Sequence, residues 1–97
     1  MWILTSPTDE ALTFRVAPGG IKTFGRAPRA DFIIDAALVS RLHCRVEAGA
    51  DSINVIDLSS TNGTYVNDKR VDRATVTSGD RLRIGRVELV VASGSPG

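Results

Sequence analysis

No stretch of ten or more residues in this chain carries its apolar side chains at a helical period. Short apolar and polar alternations recur instead, cut by glycine-containing turns about every eight to twelve residues, and that pattern predicts an all-β sandwich or barrel. Leu12, Phe14 and Val16 alternate with Thr13, Arg15 and Ala17 until Pro18, Gly19 and Gly20 stop them. Ile21 to Phe24 resumes the extended pattern, so the sequence predicts a hairpin across that turn. After the break from Gly25 to Arg29, Asp31 to Ile34 offers another brief strand.

From Leu42 the alternation is clean: Leu42, Cys44 and Val46 are expected to face a core, with His43, Arg45 and Glu47 pointing the other way. In Ser52 to Leu58, Ile53 and Val55 share one parity while Ile56 and Leu58 share the opposite one. Either a bulge or a strand buried on both faces accounts for this. Tyr65 and Val66 form a short strand ended by Asn67 and Asp68, and the hydrophilic run from Lys69 to Val76 reads as a long loop anchored by Val71 and Val76. Leu82 to Val91 predicts a closing hairpin with Gly85 and Arg86 at its bend.

A chain of 97 residues suits one hydrophobic core. A single domain is expected over residues 1–92, with residues 93–97 as a flexible tail. No apolar run approaches the roughly 20 residues of a membrane span, and the start has no basic leader of a secretory signal. The single cysteine, Cys44, suits a reducing, intracellular setting. With one adjacent histidine it gives no metal set, and no cofactor motif accompanies it. A net charge near +1 and five aromatic residues argue against direct nucleic-acid binding. No nucleophile, base and acid stand at triad-like positions, no paired acids are evident, and a non-catalytic role follows.

Polar residues gather in three segments: Gly25 and Arg26; Ser40, Arg41 and His43; and Ser60, Thr61, Asn62, Gly63 and Thr64. Each borders a strand end, where a sandwich sets loops side by side. If they meet, two guanidinium groups, several hydroxyls and one amide surround a point. That donor set fits a phosphate dianion better than a carboxylate, which would use fewer of the donors. Asn62 before Gly63 suits a tight turn. His43 reads as a hydrogen-bonded brace, Cys44 as an inert core side chain, and Arg81, Arg83 and Arg86 as a solvated strand face.

The order of these blocks, with Val66 and Asn67 after them, resembles the forkhead-associated (FHA) domain family over about Phe14 to Val91. The resemblance implies an FHA-like (SMAD/FHA-type) β-sandwich of two twisted sheets with about eleven strands, reading phosphothreonine peptides through loops at one end. It further implies that Arg26, Ser40 and Thr61 contact the phosphate, that Arg41 adds a phosphate or backbone contact, and that Asn62 holds the peptide main chain. Gly25, His43, Gly63 and Asn67 would shape those loops. Family members also select a residue three positions after the phosphothreonine; here Leu38 lies near the corresponding place, which points to an apolar preference.

The expected partner is thus a phosphothreonine-containing protein or peptide, bound by a monomeric domain. A phospho-independent interaction or dimerisation domain is the alternative. Met1, Trp2 and Leu4 also resemble the start of the nibrin family of DNA double-strand-break repair proteins. That likeness would imply a nuclear DNA-damage role, whereas a bacterial FHA protein paired with Ser/Thr kinases would be cytoplasmic.

Overall fold

A computed structural model describes residues 1–94 of the chain. Eleven strands run in the order β1 (Trp2–Thr5), β2 (Thr13–Val16), β3 (Ile21–Gly25), β4 (Phe32–Ile33), β5 (Cys44–Ala48), β6 (Ile53–Asp57), β7 (Thr64–Val66), β8 (Lys69–Val71), β9 (Arg73–Val76), β10 (Arg81–Ile84) and β11 (Val87–Ser93). They form two sheets, ordered β2-β1-β11-β10-β7-β8 and β4-β3-β5-β6-β9. Every pairing is antiparallel except the short parallel contact of β3 with β4. This is the all-β sandwich of two sheets that the turn spacing and the resemblance led us to expect.

The core lies between the sheets and follows from alternation within each strand. Trp2 and Leu4 of β1, Cys44 and Val46 of β5, Ile53 and Val55 of β6, Leu82 and Ile84 of β10, and Leu89 and Val91 of β11 are all buried. At roughly 1.5–3 kcal/mol for each large apolar side chain taken from water, this layer is the main force holding the sheets together. β6 keeps regular register with β5 on one side and β9 on the other. No bulge is needed: Ile53 and Val55 face inward, while Ile56 is half-buried on the outer face.

Three local expectations are corrected. β2 and β3 are not a hairpin, because β2 pairs with β1 and β3 pairs with β4 and β5 in the other sheet. Gly19 donates to Ala48 O at 2.7 Å and Ala48 donates to Gly20 O at 2.9 Å, so the turn carries the chain from one sheet to the other. Phe14 and Phe24 then meet across the sandwich, edge to face, with ring centroids 5.1 Å apart. The run from Lys69 to Val76 is two strands, β8 and β9, each at the edge of a sheet, where exposed Lys69, Arg70 and Arg73 are tolerated. His43 is fully buried instead of outward-facing, because it precedes β5 and does not share that strand's alternation.

The first sheet also runs past the expected boundary at residue 92. Ser93 pairs with Trp2, and Gly94 donates to Met1 O at 2.6 Å. The rest of the expected tail, residues 95–97, lies outside the described residues. The closing hairpin is as expected, with Ile84 opposite Val87 across the two-residue turn at Gly85 and Arg86. The β7–β8 turn at Asn67 and Asp68 has positive φ at both positions (49° and 68°), the type I′ geometry that matches the twist of a hairpin.

Candidate functional site

The β3–β4, β4–β5 and β6–β7 loops meet at one end of the sandwich, and backbone pairing begins the convergence. Arg26 N–H donates to Ser40 O at 2.9 Å and Ala27 N–H donates to Arg41 O at 3.1 Å, closing the first two loops on each other. Gly25 permits this approach. A Cβ there would collide with the Arg41 carbonyl oxygen and lie 3.0 Å from Leu42 Cα, both of them backbone atoms.

The third loop is joined through Ser40 and His43. Ser40 Oγ accepts the Thr61 N–H at 3.0 Å. His43 Nδ1 accepts the Ser40 N–H at 3.0 Å, which leaves Nε2 to carry the proton and donate to Gly63 O at 2.8 Å. Leu58 N–H reaches the His43 carbonyl at 3.0 Å. A buried ring with both nitrogens bonded therefore sets the spacing of the two loops. His43 thus bonds one loop through each ring nitrogen.

Asp57, which sequence reasoning missed, organises the turn that follows β6. Its Oδ1 accepts the hydroxyls of Ser60 at 2.5 Å and Thr64 at 2.7 Å, and its Oδ2 accepts the Ser60 amide at 3.1 Å. Ser60 Oγ in turn accepts the Gly63 N–H at 3.0 Å. Burial would push the Asp57 carboxyl up, but the hydrogen bonds from Ser60 and Thr64, with the nearby His43, outweigh it and hold the carboxyl below its ordinary range. The legible signal was the spacing of an aspartate three residues before a serine, which suits a side chain closing a turn on its own backbone. Cys44 beside it is fully buried, and desolvation together with the Asp57 charge, against a hydrogen bond with Thr64, pushes its thiol up to about 12.

The five residues expected to touch a ligand are distributed as follows. Arg26 is exposed, and its Nε donates to Val39 O at 3.1 Å, which fixes the root of the guanidinium. Ser40 and Thr61 are adjacent through the bond already given, and the Thr61 side chain is exposed. Asn62 is exposed, and its Nδ2 donates to Leu38 O at 3.1 Å. Arg41 is exposed on the other flank, lining a shallow groove with Ala27, Pro28, Arg29 and Leu42. Among the described residues the ion pairs are Arg45–Glu47, Arg81–Glu88 and Arg83–Asp68, so neither Arg26 nor Arg41 has a carboxylate within 4.0 Å. A cluster with two such cations and several outward hydroxyl and amide groups can take a small multivalent anion.

Of the four residues expected to shape the loops, Gly25, His43 and Gly63 lie at this end. Gly63 adopts φ 88°, and a Cβ there would lie 2.9 Å from Arg70 Nε. Arg70 was not singled out in the sequence; its position opposite Tyr65 across the β7–β8 hairpin brings it to the loop. Asn67 is elsewhere. It sits past the far end of β7, donating to Asp80 Oδ1 at 3.1 Å and accepting the Arg81 N–H at 2.9 Å, so it ties the β7–β8 turn to the entry of β10 and not to the three site loops.

Comparison with known proteins adds lineage to geometry. The FHA domain family model matches residues 22–85. Glycogen accumulation regulator GarA of Mycobacterium tuberculosis is 40% identical over 74 residues, covering 76% of this chain and 46% of the relative. The chain thus spans about half the length of that relative. Among solved structures, an FHA domain from a study of phosphothreonine-dependent FHA interactions superposes with a TM-score of 0.87 at 29% identity, covering 97% of each chain. EmbR of Mycobacterium tuberculosis, solved with a low-affinity phosphopeptide, matches with a TM-score of 0.82 at 26% identity over 99% of this chain and 26% of its own.

Proposed function

This chain belongs to the FHA-domain family, and from that premise we propose that it is a phosphothreonine-dependent peptide-binding module in signalling, not an enzyme. What supports the reading is that hydrogen bonds draw the segments of Arg26, Ser40 and Thr61 together, with Arg26 Nε tethered to Val39 O and no carboxylate within 4.0 Å of Arg26 among the described residues. Such an arginine is pre-organised, so an arriving phosphate does not have to displace an internal ion pair.

In this reading Arg26, Ser40 and Thr61 hold the phosphate oxygens, and Asn62 engages the peptide main chain beside it. Arg41 adds a second positive charge at the rim. Gly25, His43 and Gly63 keep the loops in register. The likeness to a domain studied for phosphothreonine-dependent interactions and to a phosphopeptide complex supports this assignment. The mycobacterial origin of GarA and EmbR supports a bacterial, cytoplasmic setting over a nuclear repair role.

Binding in the micromolar range typical of signalling contacts corresponds to about 8 kcal/mol. A buried charged contact to the phosphate is worth about 2–5 kcal/mol of that. Arg26→Ala should therefore weaken a phosphothreonine peptide by about 30-fold or more while the domain stays folded, its thermal midpoint falling only by what the lost bond from Arg26 Nε to Val39 O contributes. Calorimetry with matched phosphorylated and unphosphorylated library-selected peptides tests this. Equal affinity for the two forms, or unchanged affinity in the variant, would overturn it.

A further inference from the structure

Asn62 is the asparagine of this chain that precedes a glycine; Asn54 precedes the β-branched Val55, and Asn67 precedes Asp68. With no side chain on Gly63, little hinders that residue's backbone nitrogen from attacking the Asn62 carboxamide. We infer that Asn62 is a site of spontaneous deamidation, that the turn after β6 restrains the reaction, and that conversion weakens the anion site. The effect on binding rests on the phosphothreonine reading above; the modification and its restraint do not.

In the reaction the Gly63 nitrogen gives its proton to solvent base and bonds to Cγ of Asn62, and the side-chain nitrogen leaves as ammonia. The cyclic imide so formed takes up one water, which opens it at either carbonyl to leave aspartate or isoaspartate. Amide and water thus become carboxylate and ammonium, with no oxidant or reductant.

The fold obliges the chain to keep this pair of residues. Gly63 adopts φ 88°, which is costly for a residue with a side chain, so the glycine that makes Asn62 labile is required by the turn itself. Asn62 is exposed, and water reaches its carboxamide.

Both reacting groups are nevertheless occupied in the closed loop. The Gly63 N–H donates to Ser60 Oγ at 3.0 Å in a buried bond, and the Ser60 hydroxyl donates in turn to Asp57 Oδ1. The Asn62 carboxamide is tied to the β4–β5 loop, where Nδ2 donates to Leu38 O at 3.1 Å. Reaction therefore needs an opening that breaks both bonds, and its rate is the free-chain rate scaled by the fraction of time the loop is open. With each bond favouring the closed loop by about fivefold, the pair slows conversion by about 25-fold.

Conversion places a carboxylate at the end of the sandwich where neither Arg26 nor Arg41 has one within 4.0 Å among the described residues. The new group opposes a phosphate and can no longer donate to Leu38 O. Isoaspartate also routes the main chain through the former side chain, which lengthens the path from Thr61 to Gly63 and displaces the carbonyl that His43 Nε2 meets at 2.8 Å.

For the test, folded protein is incubated in mildly alkaline buffer beside a sample kept unfolded in urea, and peptide mapping by mass spectrometry follows the replacement of amide by acid at each asparagine. Conversion is expected at Asn62 ahead of Asn54 and Asn67, and about 25-fold slower in the folded sample. Hydrogen exchange of the Gly63 amide reads the same opening at the same atom. Ser60→Ala should speed both exchange and conversion by about fivefold while the amides of β5 stay protected. Asp57→Asn, which removes the charge that holds the Ser60 hydroxyl, should act in the same direction.

The converted protein, separated by its added negative charge, should bind a phosphothreonine peptide about tenfold more weakly than the parent, and saturating peptide should slow conversion. No conversion at Asn62 in folded protein, over a time many times longer than the unfolded chain needs, would overturn the inference. So would equal rates in the folded and unfolded samples, or Ser60→Ala and Asp57→Asn proteins that convert no faster than the parent. Unchanged peptide affinity after conversion would overturn the effect on the anion site. Failure of the unconverted parent to bind the peptide would instead overturn the phosphothreonine reading and leave the deamidation result standing.

Discussion

The imidazole Nε2 of His43 stands 2.8 Å from the carbonyl oxygen of Gly63, while its Nδ1 receives the Ser40 amide at 3.0 Å. One buried ring thus spans the loop that carries Ser40 and the loop that carries Thr61. The spacing of these two loops is set from beneath, by a fully buried side chain.

Replacing His43 with alanine removes a filled volume and strands a buried acceptor and a half-buried donor. A cost of about 3–5 kcal/mol is expected from the cavity and the unpaired groups together. His43→Phe refills most of the volume but pairs neither group, so it should recover only part of that loss. Urea unfolding measures both. A phenylalanine variant as stable as the parent would show that the ring acts by volume alone.

Gly25→Ala tests the close approach of the first two loops. The added Cβ meets the Arg41 carbonyl oxygen and Leu42 Cα, which belong to backbone and cannot rotate away. Restoring contact distance means separating the Arg26–Ser40 and Ala27–Arg41 rungs, so stability should fall by about 2 kcal/mol or more. Phosphopeptide affinity should fall as well, because Arg26 moves relative to Ser40. A variant with an unchanged urea midpoint and unchanged affinity would mean that the loops tolerate a wider spacing.

What the sequence revealed and what it hid have separable physical causes. Cys44, Val46, Ile53 and Val55 were legible because strands buried on one face must alternate. Trp2 to Thr5 escaped notice because four residues make too short a window, although Trp2 and Leu4 are both buried. Lys69 to Val76 looked like a loop because β8 and β9 are edge strands, whose charged residues discourage pairing with another chain. Pro18, Gly19 and Gly20 signalled a turn, but a turn signal does not say whether the chain stays in its sheet. For the candidate site, the separated motif blocks pointed to Arg26, Ser40, Thr61 and Asn62, whose loops the fold brings to one end. Arg70 was read past because strand register across the β7–β8 hairpin, not spacing along the chain, brings it beside Gly63.

Cys44 should be unreactive in the folded protein. It is fully buried, and with its thiol pushed up to about 12 almost no thiolate exists near neutral pH. Labelling with a thiol reagent should therefore proceed only as fast as the domain opens, and it should accelerate through the urea transition. Stoichiometric labelling within seconds in native buffer would contradict the burial of this residue.

Asp57 gives the stability of the domain a specific dependence on acid. Burial raises its carboxyl, but the bonds from Ser60 and Thr64 and the nearby His43 dominate, so the folded value lies below the unfolded one of about 3.9. A depressed carboxylate contributes stability that is fully present above the unfolded value and is lost as pH falls through the folded one. Asp57→Asn keeps the shape and one acceptor oxygen but removes the charge. The variant should be less stable at neutral pH by an amount that stays flat down to about pH 5 and then shrinks as the parent carboxylate is protonated. Urea unfolding is the suitable readout, because a phosphate ligand titrates near pH 6 and would confuse a binding assay. A difference between the two proteins that stays constant down to pH values near 2 would show that the Ser60 and Thr64 hydroxyls do not depend on the charge of Asp57 to hold the loop.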